Sequence, residues 1–221
     1  MTTGVPQTGV FDCSLPDERA AGLDAAAAAI RRGDLVVTPT DTVYGVAADA
    51  FSPTAVTGLL SAKGRGRDMP VPVLVSSEQM LSGVVAEMTS AASALAERFW
   101  PGPLSIVVRH PTHLAWDLGD TRGTVLVRMP DYDVALDLIA RTGPLAVSSA
   151  NRSGHPPATT VLDARLQLGA VVPIYLDGGA CPGAVPSSIV DLTSEPPRLL
   201  REGVLSADTL RELLPDLEVA T

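Results

Sequence analysis

The runs LSIVVR at residues 104–109 and TVLVR at residues 124–128 decide the fold that this sequence predicts. Both runs are rich in β-branched residues and have the length of a strand. They follow one another along the chain without a helix between them, whereas the strand-like runs that precede them alternate with helical ones. A chain in which some strands follow one another directly and others alternate with helices is expected to form a twisted sheet with parallel and antiparallel pairs, covered by helices. The predicted class is therefore α/β (α+β in some schemes), and a purely parallel doubly wound sheet is disfavoured.

The segments around these two runs supply the rest of the predicted sheet and its covering helices. Further strands are expected at residues 35–38, 71–75, 145–148, 172–176, 188–192 and 198–201. Helices are expected at residues 14–32, 52–62, 90–100, 131–141 and 207–214, the second of them opened by an N-cap serine and a proline. Because no repeat or low-complexity linker divides the chain, we predict a single domain over residues 14–214, with terminal extensions at residues 1–13 and 215–221.

The composition excludes several classes of protein. Of the 221 residues, 46% are hydrophobic and 19% are charged, which excludes a disordered chain. The longest uninterrupted apolar run, residues 25–30, is far shorter than a membrane helix, and the N-terminus lacks the pattern of a signal peptide. We therefore expect a cytoplasmic protein with no membrane partner. The formal net charge of −9 argues against stable direct binding to nucleic acid, which needs dense basic contacts to phosphate.

One basic residue stands apart from the others. Of the 16 lysines and arginines, 15 are arginine, and the single lysine is Lys63. It opens the segment Lys63-Gly-Arg65-Gly-Arg67, where two glycines let the backbone approach a ligand and three cations repel one another unless an anion joins them. A phosphate chain is such an anion, and a solvated basic loop is the alternative. The segment matches neither a Walker A loop nor a Rossmann glycine pattern.

Two further polar clusters follow predicted strands. The first is TPTDTVYG at residues 38–45, and the second is SSAN at residues 148–151. Open α/β sheets bind ligands at strand ends, so the hydroxyls and the carboxylate of the first cluster are candidates for holding a small polar substrate. Serine and asparagine in the second cluster can bind phosphate oxygens or the water shell of magnesium. Both clusters also fit turns rich in capping residues, and that alternative stays open.

Two arginines at strand ends complete the candidate residues. Arg128 can present its bidentate fork to a carboxylate, or it can pair with Asp131 or Asp133 at the surface. Arg201 ends another strand and has Glu202 beside it as a surface partner.

The remaining polar residues form no metal or nucleophile arrangement that the sequence reveals. Cys13 and Cys181 fit no metal spacing. Pro111 lies between His110 and His113, so no helix aligns these two as ligands. No Ser-His-Asp arrangement or activated cysteine is apparent.

Seven short motifs, taken in chain order, resemble the YrdC/Sua5 family. They are PTDTVYG at residues 39–45, KGR at 63–65, WPGP at 100–103, VRMP at 127–130, SAN at 149–151, PSS at 186–188 and LR at 200–201. The resemblance implies a YrdC/RibB-like single domain in the family's short form. It also implies a nucleotidyltransferase, an L-threonylcarbamoyladenylate synthase. Such enzymes convert L-threonine, bicarbonate or CO₂ and ATP into threonylcarbamoyl-AMP and pyrophosphate, for the t⁶A modification of adenosine 37 in tRNA.

The resemblance also implies roles for individual residues. Thr42, Arg128 and Ser187 are expected to hold threonine, with Arg128 taking its carboxylate. The residues expected to hold ATP and its phosphates are Lys63, Arg65, Thr124, Ser149, Asn151 and Arg201. Lys63 and Arg65 are further expected to be catalytic, by stabilising charge on the phosphoryl oxygens. Mg²⁺ is expected with ATP, without identified protein ligands, and the product is expected to pass to a tRNA threonylcarbamoyltransferase.

The chain departs from some members of the family at three positions. Met69 and Leu74 stand where some archaeal relatives have Asn and His, and Pro157 stands where a nucleotide-contacting serine is found. Two other functions stay open. One keeps the fold but transfers a carbamoyl adenylate to a different acceptor. The other is an RNA-binding or ribosome-assembly module, which the acidic net charge disfavours.

Overall fold

Eleven strands and seven α-helices lie in residues 8–220, the part of the chain that the computed structural model describes. The strands are β1 (Gly9–Asp12), β2 (Val36–Thr38), β3 (Gly45–Asp49), β4 (Val73–Leu74), β5 (Leu104–Arg109), β6 (Thr124–Arg128), β7 (Leu145–Ser149), β8 (Ile174–Asp177), β9 (Ser188–Asp191), β10 (Arg198–Arg201) and β11 (Glu218–Val219). The helices are α1 (Pro16–Arg31), α2 (Pro53–Lys63), α3 (Glu78–Val84), α4 (Ser90–Phe99), α5 (Asp133–Thr142), α6 (Val161–Leu168) and α7 (Ala207–Arg211). None of these helices is long and apolar enough to cross a membrane.

All of these strands join one sheet, in the order β1-β8-β2-β3-β7-β4-β6-β5-β9-β10-β11. Five neighbouring pairs are parallel and five are antiparallel. The predicted mixed sheet is therefore confirmed. β5 and β6, the two runs on which that prediction rested, are antiparallel neighbours with Arg109 opposite Thr124.

The two faces of the sheet are covered unequally. On one face, apolar side chains of β4, β5 and β6 pack into a large core with α2 and α4. On the other face, α1 and α5 pack against β2, β3, β7 and β8 in a second core that includes Leu23, Ile30 and Leu138. Within residues 8–220, this second core contains no residue of β5, β6 or β9. The half of the face over these three strands is therefore left open.

The sequence of β6 determines which of its side chains face this open half. Successive side chains of a strand point to opposite faces. Val125 and Val127 accordingly lie in the large core, whereas Leu126 and Arg128 point to the face that α1 and α5 leave uncovered. A strand that ends in a buried arginine thus brings a positive charge to the open half of the sheet.

Several elements extend or correct the sequence prediction. β1 and β11 lie in the segments expected as terminal extensions, so the sheet reaches beyond residues 14–214; both are short strands at the sheet edges, with too few residues to carry a pattern. β3 is absent from the prediction because its sequence GVAAD has one β-branched residue. α3 and α6 have seven and eight residues, too few for a clear helical period. Residues 1–7 and 221 lie outside the described residues.

Candidate functional site

A cavity of about 230 Å³ lies on the open half of the sheet. Leu126 of β6 and Ile189 of β9 are among the side chains that line it. Its polar lining is made of hydroxyl side chains and arginines, namely Thr40, Ser105, Ser148, Ser149, Ser187, Arg65, Arg128 and Arg201. Within the described residues, no Asp or Glu belongs to this lining. Three guanidinium groups around one cavity favour an anionic ligand.

Arg128, the last residue of β6, is held from three sides. Its Nε donates to the backbone oxygen of Gly102 at 2.9 Å, and its Nη1 donates to Oγ1 of Thr42 at 3.0 Å. Its Nη2 donates to Oδ1 of Asp41 in an ion pair of 2.5 Å. Arg128 is only 6% exposed, so its guanidinium is fixed in one orientation at the cavity wall.

The partner of Arg128 differs from the surface partners that the sequence offered. Asp131 and Asp133 are exposed beyond the end of β6, whereas the guanidinium is buried. It therefore reaches Asp41 in the loop before β3, which lies 87 positions away in the sequence.

The loop before β3 is tied together by its own hydroxyls. Oγ1 of Thr40 donates to the backbone oxygen of Val43 at 2.7 Å and accepts the N–H of Thr42 at 3.2 Å. The hydroxyls of Thr40 and Thr42 lie 3.0 Å apart. Thr42 thus lies beside Arg128, but it is buried behind the cavity wall, and Thr40 is the threonine of this loop that lines the cavity.

Ser187 and Arg201 form the adjoining wall. Nε of Arg201 donates to the backbone oxygen of Ser187 at 2.9 Å, and its Nη2 donates to Oγ of Ser187 at 3.1 Å. The same hydroxyl lies 2.8 Å from Oγ of Ser105. Partial burial, and then the positive charges of Arg128 and Arg65, lower the pKa of Arg201 from its ordinary value. Arg201 therefore lies with Arg65 and Arg128 around the cavity. Its guanidinium is bonded to Ser187 and not to Glu202.

Lys63 is buried at the end of α2. The helix stops there because Gly64 adopts the left-handed region at φ 62°. Nζ of Lys63 donates to the backbone oxygens of Ser149 and Asn151, the latter at 2.7 Å. Burial, and then the charge of Arg65, lower the pKa of Lys63 to about 8. The ammonium thus holds the turn after β7 and does not itself line the cavity.

Arg65 lies two residues beyond Lys63 and lines the cavity. Its Nη1 donates to Oγ of Ser148 at 3.2 Å, whereas its Nε is buried and has no hydrogen-bond partner among the described residues. Its Nη2 forms no hydrogen bond among the described residues and is not fully buried, so Nη2 is the donor that a ligand in the cavity can reach. Together with the hydroxyl of Ser149 in the same lining, this geometry suits a phosphate oxygen.

Thr124 and Asn151, both expected to bind ATP, lie outside the cavity lining. Thr124 begins β6, and its hydroxyl donates to the backbone oxygen of Thr121 at 2.8 Å. Asn151 is 7% exposed, and its Nδ2 donates to the backbone oxygens of Arg152 and His155 at 2.9 and 2.7 Å. Their contacts with a nucleotide stay predictions.

The three departures from the family pattern are placed differently. Leu74 and Pro157 line the cavity, whereas Met69 is 52% exposed and does not. No group of three or more His, Cys, Asp or Glu residues that could hold a metal ion occurs in residues 8–220.

Sequence reasoning missed one residue of this site and one contact. Ser105 is the one hydroxyl residue in the strand LSIVVR and alternates with Leu104 and Ile106 of the large core, a signal that could have placed it on the open face. Asp41 was a candidate for holding a small polar substrate, but not the predicted partner of Arg128. Its pairing with Arg128 depends on the sheet order, which no local pattern shows.

Comparisons with known proteins agree on one family. The Sua5/YciO/YrdC family model, described as "Telomere recombination", matches residues 28–203. A relative from Mycobacterium leprae (strain TN) is 55% identical over 205 residues, which are 93% of this chain and 93% of that protein. The threonylcarbamoyl-AMP synthase of Pyrococcus abyssi (strain GE5 / Orsay) is 36% identical over 195 residues, which are 88% of this chain and 57% of that protein.

A solved structure shares the fold. The crystal structure of P. abyssi Sua5 complexed with L-threonine has a TM-score of 0.86 to this chain at 36% sequence identity. The match covers 90% of this chain and 58% of that one, so this chain spans less than two thirds of the length of the P. abyssi proteins.

Proposed function

This chain belongs to the Sua5/YciO/YrdC family, and we propose that it is an L-threonylcarbamoyladenylate synthase. The reaction converts L-threonine, bicarbonate (or CO₂) and ATP into threonylcarbamoyl-AMP and pyrophosphate, with water as a further product when bicarbonate is used. The product is the activated intermediate for the N6-threonylcarbamoyl modification of adenosine 37 in tRNA. The relative named for this activity, and the related structure that holds L-threonine, support the assignment.

One observation carries the proposal: a single cavity presents donors suited to a carboxylate and donors suited to phosphate. Arg128 can hold the carboxylate of an amino acid with its planar fork, and Ser187 in the same lining can bind its hydroxyl. Arg65, Arg201 and Ser149 line the same cavity and offer donors to phosphate oxygens. An enzyme that joins an amino acid to a nucleotide needs both kinds of donor around one space.

The residues fit the chemistry of this transfer. An oxygen of threonine carbamate forms a bond to the α-phosphorus of ATP, while the bond from that phosphorus to the pyrophosphate oxygen breaks. Negative charge builds on the phosphoryl oxygens, and the guanidinium of Arg65 stabilises it. Lys63 holds the turn of Ser149 and Asn151 against the nucleotide. Fixing both substrates in one cavity supplies a further part of the rate enhancement through orientation.

Magnesium enters this proposal with ATP. The hydroxyl of Ser149, which lines the cavity beside Arg65 and Ser148, suits the water shell of Mg²⁺. Mg²⁺ bound to the triphosphate neutralises part of its charge. We place the enzyme in the cytoplasm, where its product would pass to a tRNA threonylcarbamoyltransferase.

Labelled bicarbonate tests the proposed function. Label is expected in threonylcarbamoyl-AMP when ATP, Mg²⁺ and L-threonine are all present, and chromatography with mass detection identifies the product. A purified protein that forms no such product contradicts the proposal. Formation of carbamoyl adenylate from carbamoyl phosphate and ATP without threonine would instead support transfer to a different acceptor.

We expect activity to decline as the pH rises above about 8, because the pKa of Lys63 is lowered to about 8 and the ammonium is lost above it. kcat/KM for ATP reports ionisations of the free enzyme, so it is expected to show this decline. In a Lys63→Arg variant the guanidinium stays charged, and the decline should move to higher pH. A wild-type profile in this variant would contradict the role given to the ammonium.

A further inference from the structure

The ion pair between Arg128 and Asp41 differs from every other ion pair in residues 8–220. Its two side chains are 7% and 13% exposed. Both side chains in each of the other six pairs are at least 31% exposed. Surface pairs of that kind contribute little to stability, whereas a buried pair carries a large desolvation cost. A buried pair at the wall of a binding cavity therefore calls for an explanation in terms of the ligand.

Both side chains of this ion pair have hydrogen-bonding groups left for a ligand. Arg128 has five N–H groups, and its bonds to Gly102, Thr42 and Asp41 use three of them, which leaves one N–H on each of Nη1 and Nη2. Oδ2 of Asp41 accepts no hydrogen bond among the described residues, yet it is not among their fully buried, unpartnered atoms. Asp41 does not belong to the cavity lining, but this oxygen is reachable from solvent and has its lone pairs free to accept from a ligand beside Arg128.

The charge around the cavity makes this free carboxylate oxygen important. Arg65, Arg128 and Arg201 all line the cavity, and such a site repels the ammonium of an amino acid while it attracts the carboxylate. Within residues 8–220, Asp41 is the one carboxylate that forms an ion pair with a cavity-lining arginine. A free amino acid is a zwitterion with both charges on one carbon, and the Arg128–Asp41 pair offers the complementary charges side by side.

We propose that Asp41 is a specificity-determining residue that binds the α-ammonium of the amino-acid substrate through Oδ2, while Arg128 binds its α-carboxylate. This inference rests on the proposed function, since it takes the substrate to be an amino acid. Its consequence is that the site accepts amino acids and rejects hydroxy acids of the same shape, which cannot compensate the charge of Asp41.

Binding measurements with two ligands test this role. Isothermal titration gives the Kd of L-threonine and of its hydroxy-acid analogue, in which a hydroxyl replaces the α-amino group. In Asp41→Asn, the amide oxygen can still accept from Nη2 of Arg128, but the negative charge is gone. We expect L-threonine to bind about 30-fold more weakly to this variant, and the hydroxy acid to change by less than about threefold.

Two further variants separate this role from a structural one. Asp137→Asn removes the carboxylate of the Arg19–Asp137 pair between α1 and α5, away from the cavity, and should leave both Kd values unchanged. Asp41→Glu keeps the charge and should keep the preference for threonine over the hydroxy acid.

Several results would overturn the inference. Equal weakening of both ligands in Asp41→Asn would mean that Asp41 serves only to hold Arg128. Tighter threonine binding would mean that Asp41 competes with the substrate carboxylate. If Asp41→Asn does not fold, the wild-type protein alone still tests the inference. Equal affinity of the wild type for L-threonine and for the hydroxy acid contradicts it. Titration measures binding without turnover. A wild-type protein that binds threonine more tightly than the hydroxy acid but makes no threonylcarbamoyl-AMP would therefore refute the proposed function and leave this inference standing.

Discussion

Arg128→Ala is expected to remove threonine binding and to destabilise the fold at the same time. The substitution deletes hydrogen bonds to Gly102 and Thr42 and leaves the carboxylate of Asp41 without its counter-charge. Breaking a buried ion pair in this way costs about 3–5 kcal/mol. The affinity for L-threonine should fall on the order of 100-fold or more, since the buried cation that takes its carboxylate is lost. Urea unfolding measures the first effect and isothermal titration the second.

Arg128→Lys separates the two effects. Lysine keeps the positive charge beside Asp41, so we expect a smaller loss of stability than in Arg128→Ala. It lacks the planar fork that reaches Gly102, Thr42 and a ligand together, so threonine binding should remain weak. Threonine affinity close to that of the wild type in Arg128→Ala would contradict the assignment of this residue to the carboxylate.

Arg65→Ala is expected to lower kcat at least about 30-fold, an effect of about 2 kcal/mol or more on the transition state. Arg65 lines the cavity, and its Nη2 forms no hydrogen bond among the described residues and is not fully buried, so this donor is available for the charge that develops on the phosphoryl group. The stability should change little, because its one side-chain hydrogen bond within the described residues goes to Ser148. Steady-state rates at saturating ATP and threonine, with unfolding curves alongside, measure both quantities.

Arg67→Ala is the matched control for this prediction. Arg67 lies two residues further along the same loop, but it is exposed and pairs with Asp117 at 2.6 Å, outside the cavity lining. Its removal should leave kcat within about twofold of the wild type, as expected for an exposed pair. Equal losses in the two variants would mean that the loop as a whole, and not the cavity-facing guanidinium, is needed.

The strands were predictable where their own residues carry the pattern. The bounds of β5 and β6 agree with the prediction, because β-branched residues make up half or more of each strand. β3 was not predicted, because its glycine and alanines have little strand propensity and its place depends on neighbours β2 and β7. β4 is shorter than the expected strand, at Val73–Leu74, since prolines occupy two of the three positions before it.

The site was predictable as a set of residue types but not as a set of contacts. The polar clusters, Arg128 and Arg201 could be named from strand ends and from the resemblance. Their partners could not, because Asp41 and Arg128 meet only when β3 and β6 are placed in one sheet. Lys63 shows the same limit. Its isolation as the single lysine predicted a phosphate contact, which stays a prediction, and no local pattern indicated the carbonyl oxygens of the turn after β7 that its ammonium contacts.

Pyrophosphate release, measured with and without L-threonine in the presence of ATP, Mg²⁺ and bicarbonate, tests whether the cavity joins threonine to the nucleotide. We expect release that depends on threonine and that falls in Arg65→Ala and Arg128→Ala but not in Arg67→Ala. Release at the same rate without threonine, or no release from the folded wild-type protein, would contradict this expectation.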